Sequence, residues 1–221
     1  MKLLYIYLFR HGQTFFNRDE KFTGWLNPGL TSTGFKQAKT VAKKLKNKKF
    51  QIAFQTKLKR SKQTLQIVLK YHPECKRILT DNRMIERNYG NLNGKTHESF
   101  MEKIGKKLLK LDVEGDAIEN FSPKKRKELE KFLGREEYKL IHRGYNVPPQ
   151  NGESFAMVEN RVSKFINDLI KLMKKQKVNV AISAHGNSIR LFRKILERAD
   201  KKQVVKWFIP YDKVFVYKIK A

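Results

Sequence analysis

The sequence predicts an α/β protein with three layers, in which helices cover both faces of a central, mainly parallel β-sheet. Short apolar segments alternate along the chain with longer segments whose apolar residues recur at helical spacing, a pattern typical of parallel βαβ units. Two of the apolar segments end in His-Gly, at residues 11–12 and 185–186. The 221 residues suffice for one sizeable domain, and the even spread of apolar residues predicts a single domain over residues 1–221.

The first half of the chain contains three predicted strands. Residues 3–9 form an apolar run, and residues 50–54 and 76–79 are shorter β-prone segments. Helices are predicted between these strands, the first beginning near Thr31 and the second following Arg60. Both helices have apolar residues on one face and lysines on the other, so each is expected to cover the sheet.

A lysine-rich stretch at about residues 97–140 is predicted to be a helical insertion within the domain. Ser122-Pro123 is typical of a helix start, since proline is favoured in the first helical turn. Residues 142–149 end in two prolines and are predicted to form an extended loop.

The C-terminal part repeats the β–α pattern. A long amphipathic helix is predicted over residues 155–173, the second His-Gly strand over residues 178–183, and another helix over residues 187–198. Residues 214–219 alternate apolar and basic side chains. We expect this last strand at an edge of the sheet, where lysines discourage pairing with other chains.

Charge is the most pronounced feature of the composition. The chain has 49 Lys+Arg against 21 Asp+Glu, a formal net charge of +28. Most lysines lie at solvent-face spacing in helical segments, with little of the aromatic interleaving that a base-stacking surface needs. We therefore expect a small anionic substrate and no specific nucleic-acid partner, with the charge serving to gather anions.

Other functional classes are disfavoured by the same composition. No apolar run approaches the roughly 18 residues needed to cross a bilayer, so no membrane association and a cytoplasmic location are expected. The single Cys75 excludes an internal disulfide and, without companions, a thiolate metal cluster. The last strand and the lysine-rich insertion could both contribute to a homodimer.

The two His-Gly segments predict the chemistry. Parallel strands of open α/β sheets place functional groups at their carboxyl ends, which would bring Arg10, His11 and His185 together. Two imidazoles with an arginine form a pocket suited to a tetrahedral dianion. Histidine is also an accepted covalent nucleophile once its other ring nitrogen is held by a hydrogen bond.

Four segments together resemble the histidine phosphatase superfamily and, within it, the cofactor-dependent phosphoglycerate mutases. They are Leu-Phe-Arg-His-Gly at 8–12, Glu-Arg-Asn-Tyr-Gly at 86–90, Arg-Gly-Tyr at 143–145 and Ala-His-Gly-Asn-Ser at 184–188. The resemblance covers nearly the whole chain except the insertion. It implies a phosphoglycerate mutase-like fold and interconversion of 2- and 3-phosphoglycerate through a phosphohistidine. The implied cofactor is a 2,3-bisphosphoglycerate primer, with no metal.

The resemblance also implies roles for individual residues. His11 would be the nucleophile, Arg10, Arg60 and His185 would neutralise phosphoryl charge, and Glu86 would be the general acid and base. The substrate would be held by a second group of residues, since a three-carbon acid phosphate has two anionic ends. The substrate-binding residues so implied are Asn17, Thr23, Gly24, Arg87, Tyr89, Arg143, Gly186 and Asn187.

Departures from the mutase pattern keep two alternatives open. His97 stands at the position of an expected lysine, with Lys95 nearby, and His142 stands at an expected arginine. The segment between Pro149 and Gly152 is also short. A metal-independent phosphomonoesterase of the same superfamily, in which water accepts the phosphoryl group from His11, is therefore the second hypothesis. The third, a basic nucleic-acid-binding scaffold without catalysis, is disfavoured because the implied catalytic residues are all present.

Overall fold

The computed structural model describes residues 3–112 and 121–220, and its centre is a five-stranded sheet. The strands are β1 Leu3–Arg10, β2 Ile52–Gln55, β3 Arg77–Thr80, β4 Val180–Ala184 and β5 Val214–Lys220. Their order is β3-β2-β4-β1-β5; the first four are mutually parallel and β5 is antiparallel to β1. The mainly parallel sheet and the edge position of the last strand are confirmed.

Eight α-helices occur in the described part of the chain. They are α1 Phe15–Arg18, α2 Ser32–Leu45, α3 Lys59–Leu69, α4 His97–Asp112, α5 Pro123–Arg143, α6 Phe155–Gln176, α7 Gly186–Glu197 and α8 Lys201–Val204. The one-turn helices α1 and α8 were not expected from the sequence, because four residues are too few to show helical periodicity. Among the described residues, no helix has the length and apolar character needed to cross a membrane.

The apolar core has two parts, one on each face of the sheet. Leu4, Ile6 and Leu8 of β1 pack with buried residues of α6 and α7. Tyr7 and Phe9 point to the opposite face and pack with α2 and α3. This alternation follows from the two-residue period of a strand, and it confirms the three-layer arrangement.

The predicted insertion contains α4 and α5, with residues 113–120 outside the described range. The two helices pack closely through two glycines. A Cβ on Gly105 would lie 2.0 Å from the carbonyl oxygen of Glu130, and one on Gly134 would lie 2.1 Å from that of Met101. Larger side chains would push the helices apart. That the insertion belongs to a single domain over residues 1–221 stays a prediction.

One boundary prediction is wrong. Residues 142–149 were expected to form an extended loop, but α5 continues through His142 and Arg143. The last carbonyls of a helix need partners outside the helix. Here the Arg87 side chain donates to the carbonyl oxygens of Ile141 at 2.5 Å and His142 at 3.3 Å. This long-range capping allows the helix to extend towards the prolines.

The sheet brings the two His-Gly segments together. Arg10 is the register partner of Ala184 in the parallel pair of β1 and β4. The next residues along these strands are His11 and His185, whose ring centroids lie 5.0 Å apart. The backbone N–H of His11 donates to the carbonyl oxygen of Ala184 at 3.0 Å. The segments around Arg10 and His185 are far apart in sequence, but the sheet places them side by side in one site.

Candidate active site

A cleft of about 460 Å³ lies at the carboxyl ends of β1 and β4. Its described lining includes the cations Arg10, Lys21, Arg60, Arg143 and Arg190. Ten of the thirteen predicted site residues line it. They are Arg10, His11, Asn17, Thr23, Arg60, Glu86, Tyr89, Arg143, Gly186 and Asn187. His185 lies behind this lining, whereas Gly24 and Arg87 lie outside it.

His11 is held as a neutral imidazole with a defined tautomer. Its Nδ1 lies 2.7 Å from the carbonyl oxygen of Gly12, and because a carbonyl only accepts, Nδ1 carries the proton. Nε2 therefore has the lone pair, which accepts from Arg60 Nε at 3.2 Å. Burial, and then the charges of Arg60 and Arg10, hold the pKa of His11 well below its ordinary value of 6.5. The ring nitrogen facing the cleft is thus available for attack on phosphorus.

This environment predicts the acid limb of the pH profile. Protonating Nε2 would remove its lone pair, and because the pKa of His11 is lowered, more acid than usual is needed to do so. We expect kcat/KM to persist through the region near pH 6.5, where an exposed histidine titrates, and to fall only at lower pH. The substrate phosphate, which titrates at about pH 6, is measured separately by NMR and divided out. An enzyme limb at or above the ordinary histidine pKa would contradict the structure.

Arg60 is a fixed cation beside the nucleophile. Its Nη1 donates to the Leu26 carbonyl and its Nη2 to the Gly24 carbonyl, both at 2.8 Å. Burial lowers the pKa of Arg60 to about 10, so the guanidinium stays charged at neutral pH. Gly24 adopts φ +47°, a left-handed conformation that favours glycine. It contributes to the site by orienting Arg60 through its carbonyl.

Two buried nitrogens at this end of the site have no hydrogen-bond partner among the described residues: Arg10 Nε and His185 Nδ1. Arg10 Nη1 donates to the carbonyl oxygen of Ile209 at 2.8 Å, and the Arg10 guanidinium lies 4.0 Å from the Tyr211 ring centroid. His185 Nε2 lies 2.8 Å from Thr56 Oγ1, and if Nε2 accepts that hydroxyl proton, Nδ1 carries a proton to donate. Buried donors are normally satisfied, so these two fit the oxygens of a bound anion.

Glu86 combines burial with access to the cleft. The residue is 7% exposed, and Oε1 accepts from the backbone N–H groups of Arg87 at 2.8 Å and Asn187 at 3.2 Å. The Arg87 side chain points elsewhere, so Glu86 is not the partner of a neighbouring guanidinium. A carboxyl group with one oxygen anchored can exchange a proton through the other.

The other predicted residues that line the cleft are uncharged, and two of them, Gly186 and Asn187, lie at the N-terminus of α7. Asn187 Nδ2 donates to the Tyr89 hydroxyl at 3.2 Å, and Gly186 is the first residue of the helix, where backbone N–H groups favour anions. Asn17 accepts from the Thr14 N–H and hydroxyl through Oδ1, so its amide Nδ2 is the group it can offer an anion. Thr23 also lines the cleft.

Arg190 is a cleft residue that the sequence analysis missed. Its Nη1 donates to Asn187 Oδ1, and its Nη2 donates to the Trp207 carbonyl at 2.7 Å. Burial lowers the pKa of Arg190 to about 9, which leaves the side chain charged at neutral pH. Arg190 follows Asn187 by three residues on a helix, and residues so spaced share a face. The three-residue spacing from Asn187 could therefore have predicted that Arg190 lies in the cleft.

Arg87 was predicted to bind substrate, but the structure uses its side chain differently. Its Nε donates to the Glu153 carbonyl at 2.7 Å, while its other nitrogens cap α5. The side chain is fully buried. By contrast, Arg143 lines the cleft, and its side chain makes no hydrogen bond or ion pair with the described residues.

Matched substitutions separate these two arginines. We expect Arg87→Met to lower the free energy of unfolding by about 2–4 kcal/mol, because it leaves buried carbonyls unsatisfied. Arg143→Met should change it by less than about 0.5 kcal/mol but raise KM about tenfold through loss of a charged hydrogen bond to substrate. Urea denaturation and steady-state kinetics on both variants test this. Comparable stability losses, or an unchanged KM in Arg143→Met, would contradict the assignment.

His97 and His142 also line the cleft, in contact with the rings of Phe22 and Tyr138. Burial lowers the pKa of His97, and burial together with the charge of Arg143 holds the pKa of His142 well below its usual range. Both imidazoles are therefore neutral at neutral pH. His97 and His142 add hydrogen-bonding groups but no fixed charge to the side of the cleft that they line.

The fold and the cleft define a phosphoryl-transfer enzyme: a mainly parallel sheet ends in paired histidines, buried arginines and an enclosed carboxylate. The family model for the histidine phosphatase superfamily (branch 1) matches residues 6–119 and 118–220. The chain belongs to this superfamily.

Relatives of known name are similar along most of the chain. The 2,3-bisphosphoglycerate-dependent phosphoglycerate mutase of Rhizobium rhizogenes is 32% identical over 220 residues, which cover 97% of this chain and 89% of the relative. The phosphoglycerate mutase structure from Bacillus anthracis has a TM-score of 0.70 at 19% identity, over 99% of this chain and 89% of its own. The alpha-ribazole phosphatase structure from Shigella flexneri has a TM-score of 0.69 at 20% identity, over 96% and 89%. The two structures show the fold alone.

Proposed function

We propose that this enzyme is a phosphoglycerate mutase that interconverts 2- and 3-phosphoglycerate through phospho-His11. The observation that supports it best is the presence of two groups of cations in one cleft. Arg10 and Arg60 lie beside His11, whereas Arg143 and Arg190 come from α5 and α7. A phosphate ester of a three-carbon acid has two anionic ends, and a simple phosphatase does not need the second group.

The proposed reaction begins with the enzyme phosphorylated on His11 by 2,3-bisphosphoglycerate. The free hydroxyl of 3-phosphoglycerate attacks this phosphorus, its proton passes to Glu86, and the bond between phosphorus and Nε2 breaks. The bisphosphate so formed reorients and returns its other phosphoryl group to Nε2, while Glu86 protonates the leaving oxygen. 2-Phosphoglycerate departs. No metal is needed for these steps, since the arginines and His185 neutralise the oxygens.

The experiment is to incubate the enzyme with 3-phosphoglycerate, with and without 2,3-bisphosphoglycerate, and to follow 2-phosphoglycerate and inorganic phosphate together. Primer-dependent isomer formation with little phosphate release supports the mutase. Arg190→Met provides the structural test, because it removes one cation of the second group and should weaken isomerisation more than hydrolysis of a simple phosphate ester. Phosphate release without isomer would exclude the proposal.

A phosphomonoesterase is the second candidate, favoured by two neutral histidines of the cleft, His97 and His142. His97 and His142 themselves supply no fixed charge to the part of the cleft that they line. In this alternative water attacks phospho-His11 after the alcohol has left, and Glu86 accepts the proton of the water. For either activity the substrate is a small soluble phosphate ester, and we place the enzyme in the cytoplasm.

A further inference from the structure

A second recess, which we call the hairpin groove, lies between α4, the end of α5 and the loops at residues 91–95 and 149–150. Its volume is about 810 Å³. The floor is apolar: Leu92, Phe100, Ile104, Ile141 and Pro149 line it. No residue of this groove lines the active-site cleft in the described part of the chain.

The rim of the hairpin groove is basic. Lys103, Lys106, Lys107 and Lys110 follow one another along α4 at i, i+3, i+4 and i+7, and Lys95 faces them from the loop. All five are exposed. Among the described residues, none of them has a carboxylate within 4.0 Å. The row therefore presents uncompensated positive charge beside an apolar floor.

The balance of charge differs between two sides of the helix pair formed by α4 and α5. The recess on the other side is lined by three glutamates, Glu98, Glu102 and Glu130, and by four cations, Lys106, Lys127, Lys131 and Arg135. Within the hairpin groove as described, Glu137 is the single acidic residue. The two faces of one hairpin thus differ in the charge they offer a partner.

We propose that the hairpin groove is a docking site for an acidic amphipathic helix of a partner protein. Apolar side chains of such a helix would fill the floor at helical spacing, and carboxylates on its flank would meet the lysine row. From Lys103 to Lys110 the row covers eight residues of α4, a rise of about 10 Å, which equals two turns of a partner helix.

Two other occupants fit the shape and charge less well. The apolar surface is recessed between two helices and two loops, whereas a bilayer surface is flat and would reach the rim before the floor. A fatty acid has one carboxylate, but the lysines are distributed along the length of the groove. Several carboxylates on a folded segment match this distribution best.

The test uses a fluorescein-labelled peptide of about four helical turns, with leucines on one face and glutamates on the other. A peptide of the same composition in scrambled order is the comparison. Anisotropy is measured with the full-length enzyme at physiological ionic strength. We expect the amphipathic peptide to bind at least about tenfold more tightly than the scrambled one. We also expect Lys103→Glu/Lys107→Glu and Ile104→Asn each to remove that preference.

The matched control is Lys174→Glu/Lys175→Glu, which makes the same charge change at exposed positions in the last turn of α6, outside the groove. It should retain the preference for the amphipathic peptide. Equal binding of the two peptides would mean attraction by net charge alone and would overturn the proposal. Binding of vesicles containing anionic lipid that is lost in the groove variants, without peptide binding, would identify a lipid surface instead and would equally overturn it.

Discussion

Replacing His11 by alanine is expected to reduce phosphoryl transfer by at least about 10⁴-fold, the scale seen when a covalent nucleophile is removed. The reason is geometric. Nε2 of His11 faces the cleft with its lone pair, Nδ1 is fixed by Gly12, and Arg60 lies 3.2 Å from Nε2. Alanine removes the atom that forms the covalent bond and leaves the cations in place. The variant should therefore bind inorganic phosphate while failing to gain a phosphoryl group in intact mass spectrometry.

The control is His72→Gln, which changes a histidine outside the cleft. His72 is buried against Phe50, and its Nδ1 lies 3.0 Å from Glu74. This variant should keep turnover per folded molecule, with folding checked by circular dichroism. Phosphorylation that persists in His11→Ala, or turnover that falls equally in both variants, would show that the phosphoryl group is carried elsewhere.

Glu86→Gln is expected to lower kcat by about 10²–10⁴-fold, the usual contribution of a positioned general acid or base. Glutamine retains an oxygen that can accept from the N–H groups of Arg87 and Asn187, so the local structure should be preserved. What it loses is the exchangeable proton. Hydrolysis of an alkyl phosphate, whose leaving oxygen needs a proton, should suffer far more than hydrolysis of 4-nitrophenyl phosphate.

Glu20→Gln serves as the control because Glu20 also lines the cleft but is exposed. It should change kcat little and show no dependence on the leaving group. If Glu86→Gln slows both esters by the same factor, the carboxylate acts through charge or position, and another group must transfer the proton.

The positions of the buried arginines lead us to expect selectivity for small anions in this strongly basic chain. Arg60 and Arg190 are buried and held by backbone carbonyls. Charges held in a recess act at short range on an anion that enters it, and salt screens them less than it screens exposed lysines. We therefore expect the surface lysines to gather anions and the buried arginines to discriminate among them.

Much of the fold could be predicted because the apolar residues of strands and long amphipathic helices recur at a characteristic local period. β1 and α6 are both recognisable from their own residues. Failures occurred where local signals are weak or overridden. The helices α1 and α8 are one turn long, and the extension of α5 through Arg143 depends on Arg87, which is far away in sequence.

The same distinction applies to the site. By its own residues the sequence determined that two apolar strands end in His-Gly, and it carried the motifs that assign the chain to its superfamily. Only the tertiary structure decided which arginines face the cleft. Arg87 is turned towards the end of α5, whereas Arg190 is turned into the site beside Asn187. The physical reason is that the orientation of a guanidinium depends on carbonyl oxygens and charges contributed by distant segments. Those groups come together only when the chain folds.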